Sequence, residues 1–296
     1  MSNSNTNLNA TAAHWHTLTP SQHAASGYIP FTDYRFTAKD QHAALLQAEI
    51  PDALAYFPLA FIPTQPQATQ ATNPQNNESK QPKEPKQPAP YQLVVLQSLT
   101  QGLNLYVDPQ GKWLAPYVPA VYRGHPFRLH QDQLQINTAA QAYVADIQQL
   151  PPAQRHQAKP LFANNQQLTE NLQGIHTYLQ NCQKNQQLTD QLITQLHKQD
   201  LIIPLPLQYK KDENAPAQTI EGYYRIDEDK LKSLQGLQLS LLAQTGALAL
   251  AYGQLYSLKR LQDFGTRYAR HQNPQANQDV DLEQVFGEGN DDVFKF

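Results

Sequence analysis

LAYFPLAFIP, residues 54–63, is an apolar, strand-prone run that ends at proline, and a second such run, YQLVVLQSL, begins at residue 91. Between them, residues 63–90 read PTQPQATQATNPQNNESKQPKEPKQPAP, with no large apolar side chain to offset the entropy of ordering. The economical reading is two neighbouring strands, simplest as an antiparallel pair, whose connection has been lengthened into a disordered loop. Lengthening a loop costs only about 0.6 kcal/mol per doubling. The insertion is therefore not a domain boundary. The chain is expected to form one α+β domain over residues 31–265, made of antiparallel β-hairpins packed with two or three helices. A mobile arm is expected at 1–30 and an acidic, disordered tail at 266–296.

Working outward, GLNLYVDPQGKWLAPYVPA places the turn signal Asp108-Pro109-Gln110-Gly111 between two strand-like runs, which predicts a second hairpin. LIIPLPLQYKK and QTIEGYYRI predict a third, with its turn at Asp212 to Pro216. Pro204 and Pro206 suit an edge strand, because proline cannot donate to an interior ladder. Between the second and third hairpins the period changes. Leu168, Leu172, Ile175, Leu179 and Cys182 fall on one helical stripe, continued by Leu188, Leu192 and Leu196, so one long helix or two in succession are expected.

A last helical region begins near RIDEDKLKSL, where Asp227 or Asp229 can cap free backbone amides. It runs on through GLQLSLLAQTGALALAYGQLYSL, residues 236–258, with breaks expected at Gly236, Gly246 and Gly253. This run is uncharged over more than the roughly 18 residues that suggest a membrane helix. Gln238, Ser240, Gln244, Thr245, Gln254 and Ser257 interrupt it, so it reads as a central core helix and not as a span.

Composition limits function. The formal charge is −3 over 296 residues and the pI near 6.3, which argues against a general nucleic-acid binder with its basic footprint. The single cysteine, Cys182, rules out an intramolecular disulfide and reads as a small buried apolar residue, with no basic neighbour to make it a thiolate. The first twenty residues lack the basic start and apolar run of a secretory signal, so a cytoplasmic location is expected, with surface association by a non-Sec route left open.

No motif specifies a reaction. His125 and His130 would lie on opposite faces of a strand, and His14 and His16 sit in the N-terminal arm, so no metal is expected. No serine occupies a strand-turn-helix elbow, no glycine-rich phosphate loop is present and no cofactor is expected. Asp227, Glu228 and Asp229 could serve acid–base chemistry but read more simply as a helix start. The densest cluster is YVPAVYRGHPFRLH, residues 117–130. Arg123 and Arg128 could grip an anion beside Tyr117 and Tyr122, or could pin the sheet to the helices. The scaffold reading is preferred. As a ligand or partner surface the candidates are Trp113, Tyr117, Arg123, His125, Arg128, Tyr223, Arg225 and Asp227.

The segments GLNLYVDPQGKWLAPYVPAVYRGHPFRL, LIIPLPLQY, IEGYYRIDEDKLKSL and LLAQTGALALAYGQLYSLKRLQDF, in that order and spacing, resemble the SapC-like family of bacterial proteins. Asn104, Trp113, Pro119, Arg123, Pro126 and Phe127 match its pattern. Gly124 and His125 depart from a second arginine and a tyrosine often found there, and QLQINTAAQAY replaces a short Cys-Ile-Asp-like strand. The resemblance implies a connection with the surface layer of certain Gram-negative bacteria. It carries no agreed catalytic residues, and the family is distinct from the similarly named permease of peptide importers. The expectation is a non-catalytic accessory protein that contacts other proteins, envelope or surface-layer components among them. The rival is a cytoplasmic enzyme or small-anion binder with a pocket around Arg123 and Tyr223–Asp227, and a third reading recruits a partner through the acidic tail.

Overall fold

A computed structural model describes residues 14–64, 89–209 and 218–272. The loop between the first two strand runs, the turn at Asp212 to Pro216, the first thirteen residues and the expected tail from residue 273 on lie outside these, whereas residues 266–272 of that tail are helical. In chain order the strands are β1 (Trp15–Thr17), β2 (Gly27–Tyr28), β3 (His42–Ala44), β4 (Leu59–Pro63), β5 (Tyr91–Leu96), β6 (Phe127–His130), β7 (Gln133–Asn137), β8 (Tyr143–Val144), β9 (Lys159–Pro160), β10 (Ile202–Pro204), β11 (Leu207–Tyr209), β12 (Gln218–Ile220) and β13 (Tyr224–Ile226). The principal helices are α1 (Glu170–Lys198), α2 (Glu228–Ser233), α3 (Leu237–Thr245), α4 (Ala247–Ser257) and α5 (Asp263–Gln272).

The two runs that opened the sequence reading pair as antiparallel β4 and β5, from Leu59 opposite Val95 to Pro63 opposite Tyr91. They form the centre of a five-stranded antiparallel sheet in the order β10-β13-β4-β5-β3. Leu59, Ala60, Phe61 and Leu93 to Leu96 are all fully buried, which explains why both strands read as continuous apolar runs without alternation. The third expected hairpin is present as β10 with β13 and β11 with β12. Pro204 sits on β10, at the sheet edge, where its missing N–H costs nothing.

The second expected hairpin contracts to a turn: Gly111 N–H donates to the Asp108 carbonyl, and beyond it only Val107 and Trp113 form a bridge. The arm expected to be mobile joins the fold from residue 14. β1 pairs with β7, and β2 lies between β8 and β9. β1 and β2 are three and two residues long, too short to show a period, and tertiary partners settle them.

From Leu172 on the expected stripe forms one helix, α1, of 29 residues, about 43 Å long at 1.5 Å per residue; Leu168 lies before it, bridged to Phe162. Its first half covers a small core of Tyr28, Phe127, Leu134, Ile136, Leu161 and Phe162, on which Leu172, Ile175 and Leu179 pack. Its second half lays Leu192, Ile193 and Leu196 on the large sheet's core. Leu188, expected on the buried stripe, is instead 47% exposed where the helix passes between the two cores. Cys182 is half-buried, and burial pushes its thiol up, consistent with an inert side chain.

The run at 236–258 is corrected in its first half. It breaks at Gly246, whose φ of +87° suits glycine, into α3 and α4. Gly253 does not break α4, which is the expected core helix, with Leu250, Ala251, Gly253 and Gln254 buried. On α3 only Leu242 is buried, and Leu237, Leu239 and Leu241 face outward. No helix among the described residues is long and apolar enough to cross a membrane.

α4 is locked to the sheet by one amide. β13 and β4 pair only at Tyr224 opposite Phe61, so neighbouring backbone groups lose their ladder partners. The fully buried Gln254 accepts from Ile226 N–H and donates from Nε2 to the Leu59 carbonyl, each at 2.9 Å. Ser257 Oγ takes the Leu59 N–H at 2.8 Å. The sheet's unpaired groups are thus satisfied from the helix.

Candidate functional site

The Arg- and Tyr-rich stretch closes around a carboxylate the sequence reading passed over. Glu49 ends a short 3-10 turn, Gln47–Glu49, and is 4% exposed. Its Oε2 accepts from the Leu46 N–H at 2.9 Å. Its Oε1 accepts from the Tyr117 hydroxyl at 2.5 Å and from the Ala120 N–H at 2.6 Å, with an Arg123 guanidinium nitrogen at 3.5 Å. Buried charge is tolerated only when paired and hydrogen-bonded, and here both oxygens are served.

α1 holds this turn in place. Thr189, fully buried, accepts the Gln47 N–H at 2.9 Å, and Asn185 accepts the Ala48 N–H at 3.3 Å. Tyr178, also on α1, donates to the Ala120 carbonyl at 3.1 Å. Arg123 lies 5.5 Å from the Tyr117 ring centroid and 5.6 Å from that of Tyr178, and donates to the Tyr117 hydroxyl at 3.1 Å. Burial and the neighbouring carboxylate push the Tyr117 hydroxyl far above its ordinary range, so it stays a donor to Glu49.

The other candidates have separate partners. Trp113 donates from Nε1 to the Tyr117 carbonyl at 2.8 Å and is buried. The Tyr122 hydroxyl lies 2.9 Å from an Asp40 carboxylate oxygen and 2.9 Å from the Gln97 amide oxygen, its single proton shared between them. Burial raises the Asp40 carboxyl, and the Tyr122 hydrogen bond only partly offsets it. His125 stacks on Phe36 at 3.9 Å and meets Phe31 edge-on at 5.4 Å, and burial lowers its pKa to about 4. Arg128 lies 4.2 Å over Trp15 and donates to Gln135 at 2.9 Å, fastening β1 to the β6–β7 pair. Tyr223, pushed up to about 12 by burial, contacts His42 Nδ1 at 3.1 Å. Arg225 donates to the Ile226 carbonyl at 3.2 Å, and Asp227 caps α2 by accepting the Lys230 N–H at 3.0 Å.

Arg123 and the Tyr223–Asp227 segment therefore engage different neighbours. The 117–123 part of the Arg- and Tyr-rich stretch is brought together around Glu49, Tyr178 and the backbone of its own fold. Among the described residues no group of three or more His, Cys, Asp or Glu converges as a metal site would. Glu49 was missed because its sequence neighbours Ala48 and Ile50 give no sign of it, and the Oε1 partners that bury it are 68 and 71 residues away in sequence.

Compared with known proteins, residues 80–264 match the model of the SapC family. No curated protein and no solved structure matches this chain.

Proposed function

Because the chain belongs to the SapC family, we propose that it is a non-catalytic accessory protein of the bacterial envelope or surface layer that acts by contacting other proteins. The observation that carries this reading is the outward face of α3. Leu237 is 89% exposed, Leu239 37% and Leu241 41%. Leu188 of α1 lines a shallow hollow with Thr245, the last residue of α3. Leu237 and Leu241, one helical turn apart, share a face of α3, and large apolar side chains exposed side by side mark sites where another molecule excludes water. The reactive-looking side chains of residues 117–130, by contrast, find partners inside the fold.

Removal of the gene tests it. The envelope protein profile of the deletion strain is expected to change while its small-molecule metabolites do not. An unchanged envelope, or a metabolite that accumulates, contradicts the reading.

A further inference from the structure

The chain is acidic overall, yet one cleft is basic. A hollow of about 340 Å³ lies between the 108–112 turn and α5. Lys112 enters it from the turn, and Arg267, Arg270 and His271 from the helix. The same wall carries Asp108, whose Oδ1 is occupied by the backbone N–H groups of Gln110 and Lys112 at 2.9 and 2.8 Å. Asp263, one helical turn before Arg267, is paired with Arg260 at 3.5 Å. Among the described residues no carboxylate lies within ion-pair distance of Lys112, Arg267 or Arg270.

Arg267 gives a second, independent sign. Its guanidinium is held 4.1 Å over the Tyr106 ring, and Tyr106 is fully buried and fixed by donation to the Tyr56 carbonyl at 2.7 Å. The Arg267 Nε is itself buried and meets no acceptor among the described residues. A buried donor left unpaired is costly, and most such groups have a partner. The arginine is thus preorganised on an aromatic plate with hydrogen-bonding capacity unused. Leu105 and the 44%-exposed Leu114 supply an apolar side to the same hollow.

We propose that this cleft binds a small organic phosphate, its phosphoryl group held by Arg267, Arg270 and Lys112 and its carbon skeleton resting against Leu114. A phosphate monoester carries close to two negative charges at neutral pH and several strong acceptor oxygens, which suits three cations arriving from two elements. The volume lies at the lower end of the range for small-molecule sites, which excludes large ligands. The site is separate from α3, so its failure leaves the contact reading untouched, and the converse also holds.

Calorimetric titration of the full chain with sn-glycerol 3-phosphate at fixed ionic strength, with sodium chloride as the control, tests it. Saturable binding is expected, weakened at least tenfold in Arg267→Gln and in Arg270→Gln and severalfold in Lys112→Gln. Arg270 and Lys112 are exposed, so those two variants keep the test valid if Arg267→Gln perturbs packing on Tyr106. No saturable binding, binding matched by chloride, or full affinity in Arg270→Gln and Lys112→Gln overturns the proposal.

Discussion

Glu49 shows how a residue's role can be set by what it joins and not by its own reactivity. Its carboxylate ties the 47–49 turn to the 117–123 segment, with Arg123 only at the margin: the arginine side chain is 43% exposed and that of Glu49 is 5%. Glu49→Ala strands two backbone N–H groups and removes the acceptor of the partly buried Tyr117 hydroxyl, and is expected to cost about 3 kcal/mol. Arg123→Ala is expected to cost about 1 kcal/mol, as a partly exposed ion pair does. Chemical denaturation of the two variants checks the order, and a larger loss for Arg123→Ala contradicts it. Gln254→Leu, which keeps the volume but strips both hydrogen bonds to the sheet, is expected to lose about 3 kcal/mol by the same measurement.

His125 makes stability depend on pH. Its folded pKa of about 4 lies below the ordinary value of 6.5, because burial disfavours the cation. Its contribution is therefore fully present above pH 6.5 and is lost as pH falls toward 4, since the unfolded chain takes up the proton first. The span corresponds to about 2 kcal/mol once partial solvent access is allowed for. His42, also lowered by burial, acts in the same direction. His125→Phe, which keeps a ring against Phe36, is expected to flatten the fall in melting temperature between pH 7 and pH 5. An unchanged slope would show that the imidazole is not responsible. At this scale the sequence favoured a scaffold role for the stretch but could not name partners, because those of His125, Arg128 and Trp113, namely Phe36, Trp15 and the Tyr117 carbonyl, are fixed only by the fold.

Among the elements, what could be read ahead depended on length and on a repeating pattern. α1 was legible because its leucines recur over eight turns, and the cap at Asp227 because an aspartate precedes a charged helix start. β1 and β2 were not, since two or three residues carry no period and their ladders are made with β7, β8 and β9, far along the chain. The uncharged run at 236–258 failed differently. Its mean apolarity was read correctly, but burial of α4 and exposure of α3 follow from the chain's turn at Gly246. No atom beyond its own neighbours lies within 4 Å of a Cβ built on Gly246, so Gly246→Ala meets only the backbone cost of its φ of +87°. A loss of about 1 kcal/mol is expected. At Gly111 the same φ is joined by a Cβ position overlapping the Asp33 carboxylate, and Gly111→Ala is expected to be the more damaging of the two in thermal denaturation.

For the whole molecule, the α+β class and the central β4–β5 pair followed from two apolar runs and the polar stretch between them, since core strands must be apolar on both faces. The division of the interior into two cores bridged by α1 did not, because which half of a stripe meets which sheet is a matter of tertiary placement. The proposed role belongs to this scale too: on a scaffold held by Glu49 and Gln254, α3 presents Leu237 and Leu241 outward. Leu237→Glu with Leu241→Glu should leave folding nearly unchanged, since both side chains already face solvent. The decisive measurement is the envelope protein profile of a deletion strain complemented with the wild-type chain or with this double variant at equal abundance. The account predicts that the wild type restores the profile and the double variant does not; equal restoration by both would contradict it.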